Sequence, residues 1–462
     1  MKSRKGKEMK KVSLLSMATL LLFSVTMPSI AYMEDAPINN ATPMEDSVAV
    51  ANEEGTSGGA ATKQEKATTF KVPAKAAIAI DSQTGQILYA QNSQQVLPIA
   101  SMTKMISCAV ILDAIQDGTL SWNDKVTIDD KLAALSVNPD LSNVPLIAGQ
   151  SYSVRDLFNA TIIQSANAAV MALANKVAGN QEKFVQLMKQ KVEQWGIKDA
   201  HLITVSGLNN KYLEGFRLKG TKPTDENKMS AEDMAIVSQH IVNDYPDYLK
   251  VSKQSTVVFA KGTKSETEMT NWNEMVAGQP VYTPGVDGLK TGTTEEAGAC
   301  FAGTINKNHW RIVTVVMNVE GGVDNKPARF EATRDLMNYV YNHYEKKTII
   351  KKGQDIKGLT TLHVAEGKKT ELPIVSAQDV TAIVEKNKAV DYQVKQVNKK
   401  EVLPPVKKDE VVAQYQVNVK GSLGDIDQKT TTYKAMAKED DAKANLFVLL
   451  GRKVKAFIHD LF

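Results

Sequence analysis

Ser101 and Lys104 stand three residues apart at the start of an apolar, helix-periodic run, in the stretch PIASMTKMISCAVILDAI at 98–115. On a helix, residues i and i+3 share a face with Cβ atoms about 5–6 Å apart, so the lysine amine would lie beside the serine hydroxyl. One interpretation is that Ser101 caps the helix and Lys104 extends into water. The other is that Lys104 removes the proton from a serine nucleophile.

A second element, the tripeptide Lys290-Thr291-Gly292, occurs once in the chain, at the end of a strand-like run and directly before Thr293. Ser-x-x-Lys also occurs once, although ordinary residue frequencies would give it about twice by chance. Taken alone, the tripeptide is equally compatible with a turn in which Gly292 bends the chain and Lys290 is solvated.

A third element is Ser165-x-Asn167, in the segment IIQSANAAVMALA. The same pattern occurs at 121–123 and 136–138, but in polar, turn-like surroundings. Ser165 and Asn167 instead interrupt a strongly apolar helical stretch, where unpaired polar groups are costly unless a site uses them. Context therefore favours Ser165 and Asn167 as site residues.

These residue types suggest a separate chemical role for each residue. A serine hydroxyl needs an adjacent base, and a lysine can be that base only as a neutral amine, with a pKa lowered by burial or by a second cation. Lys290 could supply that cation, Ser165 could relay a proton to the leaving amine, and Asn167 could hold the substrate or Lys104. Two backbone N–H groups, one of them on Ser101, could stabilise the oxyanion.

The elements around these motifs indicate one α+β domain. Two apolar strand-like runs around a polar, glycine-containing turn at 82–85 predict a hairpin at 75–92, and apolar residues at helical spacing predict mostly helices from 101 to about 242. Three strand-like runs follow within 284–319, and a helix is predicted from Pro327 to about Tyr344. Strands at both ends of the segment predict a sheet that joins them.

The chain beyond residue 347 has a different pattern of apolar and polar residues. Short alternating runs at 348–440 predict a small all-β, sandwich-like domain. A helix predicted at 445–462 has its apolar residues on one face: Leu446, Leu450, Val454, Phe457 and Leu461. Such a helix lies in a membrane interface or packs on its own domain, and the polar segment at 437–444, interpreted as a tether, favours the membrane.

The N-terminal region reads as a targeting segment. Residues 1–31 combine a basic start, a short apolar run and small residues, which predicts a secretory signal peptide, with a retained anchor as the alternative. Residues 32–69 have the composition of a disordered spacer.

The basic residues of the signal account for the formal charge of +4, so charge gives no argument for nucleic acid. Cys108 and Cys300 are expected to be buried free thiols, with a single disulfide as the alternative.

With these motifs in their order and at these separations, the chain resembles the serine penicillin-recognising enzymes, and among them the D-alanyl-D-alanine carboxypeptidases of peptidase family S11. The likeness covers roughly residues 70–462 and implies a β-lactamase/DD-peptidase-like domain at 70–347, the β-domain at 348–440 and a membrane-anchoring helix at 441–462. It also implies an exported enzyme at the outer face of the cytoplasmic membrane that needs no cofactor.

The resemblance assigns roles to individual residues. It implies acylation of Ser101, with Lys104 as the base and proton relay through Ser165. It places the second oxyanion N–H on Thr293 and directs the substrate's terminal carboxylate to Thr291, Thr293 and Arg329. The implied partners are peptidoglycan stem peptides ending in D-Ala-D-Ala and β-lactam antibiotics. One departure is LITVSGL at 202–208, where many relatives have an asparagine before Gly-Leu.

Three other functions compete with this hypothesis. A β-lactamase or related esterase would share the site, but the chain has no Glu-x-x-x-Asn loop between Ser165 and Lys290 for water activation. A catalytically silent wall-binding surface protein would not need all the motif residues. A zinc peptidase is disfavoured because the six histidines show neither His-x-x-x-His nor His-Glu-x-x-His spacing.

Overall fold

A computed structural model describes residues 69–213, 215–397, 402–426 and 431–461. The predicted signal peptide at 1–31 and nearly all of the predicted spacer at 32–69 lie outside these residues.

The first part of the described chain contains the predicted hairpin, helical region, three later strands and closing helix, together with short strands that the sequence did not predict. Its strands are β1 Ala74–Asp81, β2 Ile87–Gln91, β3 Leu97–Pro98, β4 Lys125–Thr127, β5 Ser151–Ser153, β6 Lys228–Met229, β7 Thr256–Phe259, β8 Thr267–Thr270, β9 Val286–Thr294, β10 Gly298–Lys307 and β11 Trp310–Val319. Its helices are α1 Lys104–Gln116, α2 Asp130–Ser136, α3 Val154–Ile163, α4 Asn167–Ala178, α5 Gln181–Gln194, α6 Ala231–Asp244, α7 Pro246–Ser252 and α8 Ala328–His343.

The main sheet is antiparallel and has the strand order β2-β1-β11-β10-β9. The hairpin β1–β2 therefore pairs with β11 from the far end of the segment, which confirms the predicted closure. Successive residues of β1 point to opposite faces: Ile78 packs toward the helical core around α1, and Ala79 packs toward α8. Helices thus cover both faces, and β9 is the edge strand that borders the site.

Helix α1 lies at the centre of the helical layer. Its residues from Lys104 to Leu112 are all buried, and a helix that is apolar on nearly every face belongs in a core rather than at a surface. Lys104, the first residue of this helix, is buried with them. Cys108 and Cys300 are free and buried, as predicted.

The second part of the chain is the predicted small β-domain. Its strands are β12 Tyr344–Ile350, β13 Thr361–His363, β14 Glu371–Ser376, β15 Val380–Glu385, β16 Tyr392–Gln396, β17 Val411–Val419 and β18 Thr432–Ala437. A sheet of order β13-β14-β18-β17-β16 and the pair β12-β15 share an apolar core around Ile374 and Tyr415. Strand β12 follows α8 without a break, so the predicted boundary at residue 347 falls within a strand. Together the two parts confirm the α+β fold with a following all-β domain.

A final helix, α9 Leu446–Leu461, ends the described chain, as predicted. The prediction of a free tether at 437–444 is wrong. Asp441 is buried and exchanges two backbone hydrogen bonds with Val406, and the Ala444 N–H donates to the Glu366 carbonyl. Polar composition suggested solvent exposure, but long-range backbone pairing places this segment in the β-domain. Within the described residues, no helix is both long and apolar enough to cross a bilayer.

Candidate active site

Ser101 lies in a short 3₁₀ segment, Ala100–Thr103, that leads directly into α1. The residue before it, Ala100, has φ +45°, a left-handed conformation that a non-glycine residue adopts at a cost of about 1–3 kcal/mol and that clusters at functional sites. Neighbouring chain holds this turn in place: the Ile99 N–H donates to the Asn227 carbonyl at 3.0 Å. The serine is thus presented by a fixed, strained turn at the start of a buried helix.

Lys104 does not extend into water, so the helix-capping interpretation is wrong. Its side chain has no exposed surface, and its Nζ lies 2.9 Å from Ser101 Oγ. The Nζ also contacts Asn167 Oδ1 at 2.7 Å and the Ser206 carbonyl oxygen at 2.8 Å. The predicted i, i+3 neighbourhood of serine and lysine is therefore present, with two further oxygen atoms around the amine.

The partners of Lys104 fit a neutral amine. A neutral amine has two N–H donors and one lone pair, whereas an ammonium has three donors and no acceptor. Asn167 Oδ1 and the Ser206 carbonyl can only accept, so they take the two N–H groups. In the neutral form the lone pair faces the Ser101 hydroxyl, which can donate to it, whereas an ammonium would donate to Ser101 Oγ instead.

The electrostatics of the site act in the same direction. Burial lowers the pKa of Lys104 well below its usual value, and the positive charge of Lys290 lowers it further. Cys108, one helical turn along α1, acts weakly in the opposite direction, but burial raises the pKa of its own thiol, which stays neutral. Burial also lowers the pKa of Lys290 to about 7.

Ser165 and Asn167 lie where α3 gives way to α4. Ser165 has φ +56°, is buried, and its Oγ has no hydrogen-bond partner among the residues that the structure describes. It lines the same cavity as Ser101. The Asn167 amide nitrogen donates to the Ser142 carbonyl at 2.9 Å, which fixes its Oδ1 toward Lys104. A buried hydroxyl without a partner is rare, and it is consistent with a group kept for a substrate.

Strand β9 carries the Lys290-Thr291-Gly292-Thr293 segment along the opposite wall. A side chain at Gly292 would bring its Cβ within 2.8 Å of the Ile99 carbonyl oxygen, so only glycine lets β9 approach the turn that carries Ser101. Lys290 is buried on the same face of β9 as Gly292. Thr291 and Thr293 lie on the other face and line the cavity.

Arg329, in the first turn of α8, contacts strand β9. Its Nη1 donates to Thr293 Oγ1 at 2.8 Å and to the Gly292 carbonyl at 3.1 Å. The guanidinium is mostly buried but still lines the cavity, so it offers a positive charge next to both threonines. Every residue selected from the sequence therefore lies in one cleft or in its immediate wall.

Two cavities meet at Ser101. One, of about 210 Å³, lies on the side of Ser165, Thr291 and Arg329. The other, of about 400 Å³, lies on the side of Leu208 and Glu295. The serine hydroxyl thus stands midway along a cleft, where an extended ligand would have a part on each side.

Sequence reasoning missed the contribution of two segments. The Ser206 carbonyl accepts from Lys104, in the SGL segment where many relatives have an asparagine; because the contact uses the main chain, that departure does not affect it. The Asn227 amide donates to Thr103 Oγ1 and accepts from two N–H groups, of Ile203 and Thr204. Asn227 thus joins the Ser101 turn to the loop that carries Ser206. A lone buried asparagine gives no sequence signal for such a role.

Comparison with known proteins identifies the family. The sequence model of D-alanyl-D-alanine carboxypeptidase, peptidase S11, matches residues 61–321. The chain belongs to the D-alanyl-D-alanine carboxypeptidase family. The model of the C-terminal domain of penicillin-binding protein 5 matches residues 344–443, which include the strands of the β-domain.

Family members with known names are similar over most of their length. The chain is 25% identical to D-alanyl-D-alanine carboxypeptidase DacF of Bacillus subtilis, over 82% of this chain and 88% of that protein. It is 28% identical to DacA of Haemophilus influenzae, over 76% and 83% respectively. Among solved structures, a peptidoglycan synthesis regulatory factor, PBP3, of Streptococcus pneumoniae is 33% identical with a TM-score of 0.70; the match covers 80% of this chain and all of that one.

Proposed function

We propose that this carboxypeptidase removes the terminal D-alanine from peptidoglycan stem peptides through an acyl-enzyme on Ser101. The observation that carries the proposal is the surroundings of Lys104: a fully buried amine whose Nζ lies 2.9 Å from Ser101 Oγ, with the Asn167 Oδ1 and the Ser206 carbonyl as two further acceptors. Family membership supports the same reaction class.

Acylation begins when Lys104 takes the Ser101 proton and Oγ attacks the carbonyl carbon of the penultimate D-alanine. A C–O bond forms, and the carbonyl electrons move to an oxyanion stabilised by the N–H groups of Ser101 and Thr293. The oxyanion then collapses and breaks the C–N bond. The leaving nitrogen receives the proton through Ser165, whose hydroxyl has no partner in the described part of the chain.

Deacylation returns the enzyme to its starting state. Water gives a proton to Lys104 and its oxygen attacks the ester carbon. The Ser101–acyl C–O bond breaks, Ser101 regains its proton, and the peptide leaves one D-alanine shorter. The Arg329 side of the cleft suits the terminal carboxylate, because Arg329, Thr291 and Thr293 converge there. The rest of the stem peptide then lies on the other side of Ser101, along the edge strand β9.

A β-lactam acylates the same serine by opening its ring. The leaving nitrogen stays tethered to the acyl group, so the adduct blocks the cleft against water. A β-lactamase, the second candidate, would clear this adduct quickly, but the chain has no Glu-x-x-x-Asn loop for that step.

The decisive experiment measures free D-alanine released from a stem pentapeptide. The wild-type chain should release it, and Ser101→Ala should lose at least about a thousandfold in rate. Labelled penicillin should be trapped on the wild type with little turnover and should not label the variant. Absence of D-alanine release, or rapid turnover of penicillin, would reject the carboxypeptidase assignment.

The location we propose is the outer face of the cytoplasmic membrane, after export directed by residues 1–31, with α9 lying in the interface. This placement is supported by apolar side chains that α9 leaves in solvent: Leu446, Phe447, Leu450, Val454 and Ile458 are each more than half exposed. Arg452 ties the helix to the β-domain by donating to the Gly367 and Lys368 carbonyls. An amphipathic helix of this kind can bind a membrane surface without spanning it.

Vesicle flotation tests the placement. Deletion of residues 445–462 should release the protein from zwitterionic vesicles while leaving activity on a soluble peptide. The pair Leu450→Ser with Val454→Ser should act like the deletion, whereas the matched pair Lys453→Ser with Lys455→Ser should weaken binding mainly to anionic vesicles. Retention of the deleted protein on vesicles would reject the role of α9.

A further inference from the structure

Two side chains that the sequence motifs do not include line the cavity beside Ser101 and Ser165. Trp272, shortly after β8, and Lys326, shortly before α8, both line it together with Arg329. They belong to segments far apart in sequence. Their meeting therefore bounds the part of the cleft where the terminal carboxylate of the substrate would lie.

Trp272 is held firmly on the Ser165 side. Its indole Nε1 donates to the Gln164 carbonyl at 3.2 Å, and its backbone N–H donates to the Ile163 carbonyl at 3.3 Å. Gln164 directly precedes Ser165, so the ring is anchored to the segment that carries the proposed proton relay. One bond holds the ring and the other holds the backbone of the same residue, so the indole forms a wall of the cavity.

Lys326 approaches this wall from the α8 side. Its Nζ lies 5.5 Å from the centre of the Trp272 ring, within the range of a cation–π interaction. Such a contact is weak when exposed, so it can open for substrate entry and product release. With Arg329 and Glu274 also lining the cavity, the titratable side chains carry one more positive than negative charge, which suits a single carboxylate.

The cavity on this side of Ser101 is small. At about 210 Å³ it is smaller than the roughly 300–1,000 Å³ typical of sites for drug-sized ligands. This inference rests on the function proposed above. We propose that Trp272 and Lys326 determine which substrates are cleaved, because they close the cleft beyond the terminal residue of the substrate. Ser101 then cleaves only when the leaving group is one small amino acid with a free carboxylate.

Two kinds of substrate are excluded by this wall. A peptide with a bulky D-residue in the last position does not fit against the indole. A cross-linked stem, in which the D-alanine carbonyl is bonded to the side-chain amine of a second peptide, carries a leaving group too large for the cavity. The wall thus makes the enzyme a carboxypeptidase rather than an endopeptidase.

The test compares kcat/KM for three substrates: a peptide ending in D-Ala-D-Ala, the same peptide ending in D-Ala-D-Leu, and a cross-linked dimer. Trp272→Ala should raise the ratio of either bulky substrate to D-Ala-D-Ala by about tenfold or more, the scale of discrimination by pocket size. Lys326→Ala should raise it about two- to fivefold, and Lys326→Arg, which keeps the cation–π contact, should retain the wild-type ratio.

An unchanged ratio in Trp272→Ala, or efficient cleavage of the dimer by the wild type, overturns the inference. Labelling by penicillin reports that each variant is folded, and if Trp272→Ala is not labelled, an unchanged ratio in Lys326→Ala overturns the inference instead. Failure of the proposed function looks different, because the wild type would then release no D-alanine from any substrate.

Discussion

Replacing Asn167 by aspartate tests whether Lys104 acts as a neutral base. Asn167 Oδ1 lies 2.7 Å from Lys104 Nζ, and the asparagine is buried at the first position of α4. Asn167→Asp keeps the shape of the side chain and adds a negative charge at that contact. An opposite charge favours the ammonium form, so the pKa of Lys104 must rise.

The size of the effect follows from the distance. Opposite unit charges 4 Å apart attract by about 4 kcal/mol at an effective dielectric constant of 20, and the 2.7 Å contact here is closer still. At 1.36 kcal/mol per pKa unit, 4 kcal/mol corresponds to about three units, offset in part by the cost of burying the carboxylate. Below its pKa, each pH unit reduces the neutral amine tenfold. Acylation at pH 7 should therefore fall by about 10- to 1,000-fold and recover as the pH rises.

The assay is the acylation rate of labelled penicillin from pH 5 to pH 10. Asn175→Asp is the matched control, because it makes the same change in α4 eight residues on, which is about 12 Å along the helix axis. That variant should follow the wild-type pH profile. If Asn167→Asp is slower by the same factor at every pH, the neutral-lysine mechanism is refuted, and the loss reflects only substrate contacts.

Three other substitutions give independent checks. Lys290→Met should abolish acylation yet raise the free energy of unfolding by up to about 5 kcal/mol at pH 7, since the pKa of Lys290 falls from 10.5 to about 7 on folding. Between pH 7 and pH 10.5 Lys290 is charged only in the unfolded wild-type chain, so the gain in unfolding free energy should shrink steadily toward pH 10.5. Urea unfolding that shows the same gain at every pH would contradict this prediction. Gly292→Ala should cost about 1–3 kcal/mol and slow acylation, because its Cβ would meet the Ile99 carbonyl; wild-type acylation would be the contrary result. Asn227→Ala should slow penicillin acylation and shift its pH profile, whereas a loss of thermal stability with an unchanged profile would limit Asn227 to the fold.

Local pattern predicted the elements that carry the site. The apolar runs of β1 and β2, the β-branched run of β11 and the apolar run of α1 are each long enough to mark a buried element, and these elements are buried on nearly every face. The spacing of Ser101 and Lys104 on one helical face needed no tertiary information.

The contacts that determine the state of Lys104 could not be predicted in this way. One is a main-chain carbonyl, of Ser206, and a carbonyl gives no signal in residue identity. Another is the burial of Lys290, which depends on where β9 lies relative to α1. The same limit explains the error at 437–444, where polar residues pair with distant backbone.

Main-chain packing from both sides positions the nucleophile more than any side-chain contact does. Gly207, with φ +76°, would bring a Cβ within 1.9 Å of the Ala100 carbonyl oxygen, and Gly292 approaches the preceding residue from the opposite wall. Two backbone segments thus clamp the strained turn of Ala100, so the turn cannot relax without separating β9 from the loop that carries Ser206. Because that loop also supplies the Lys104 acceptor, the orientation of the nucleophile and the protonation of its base depend on the same packing.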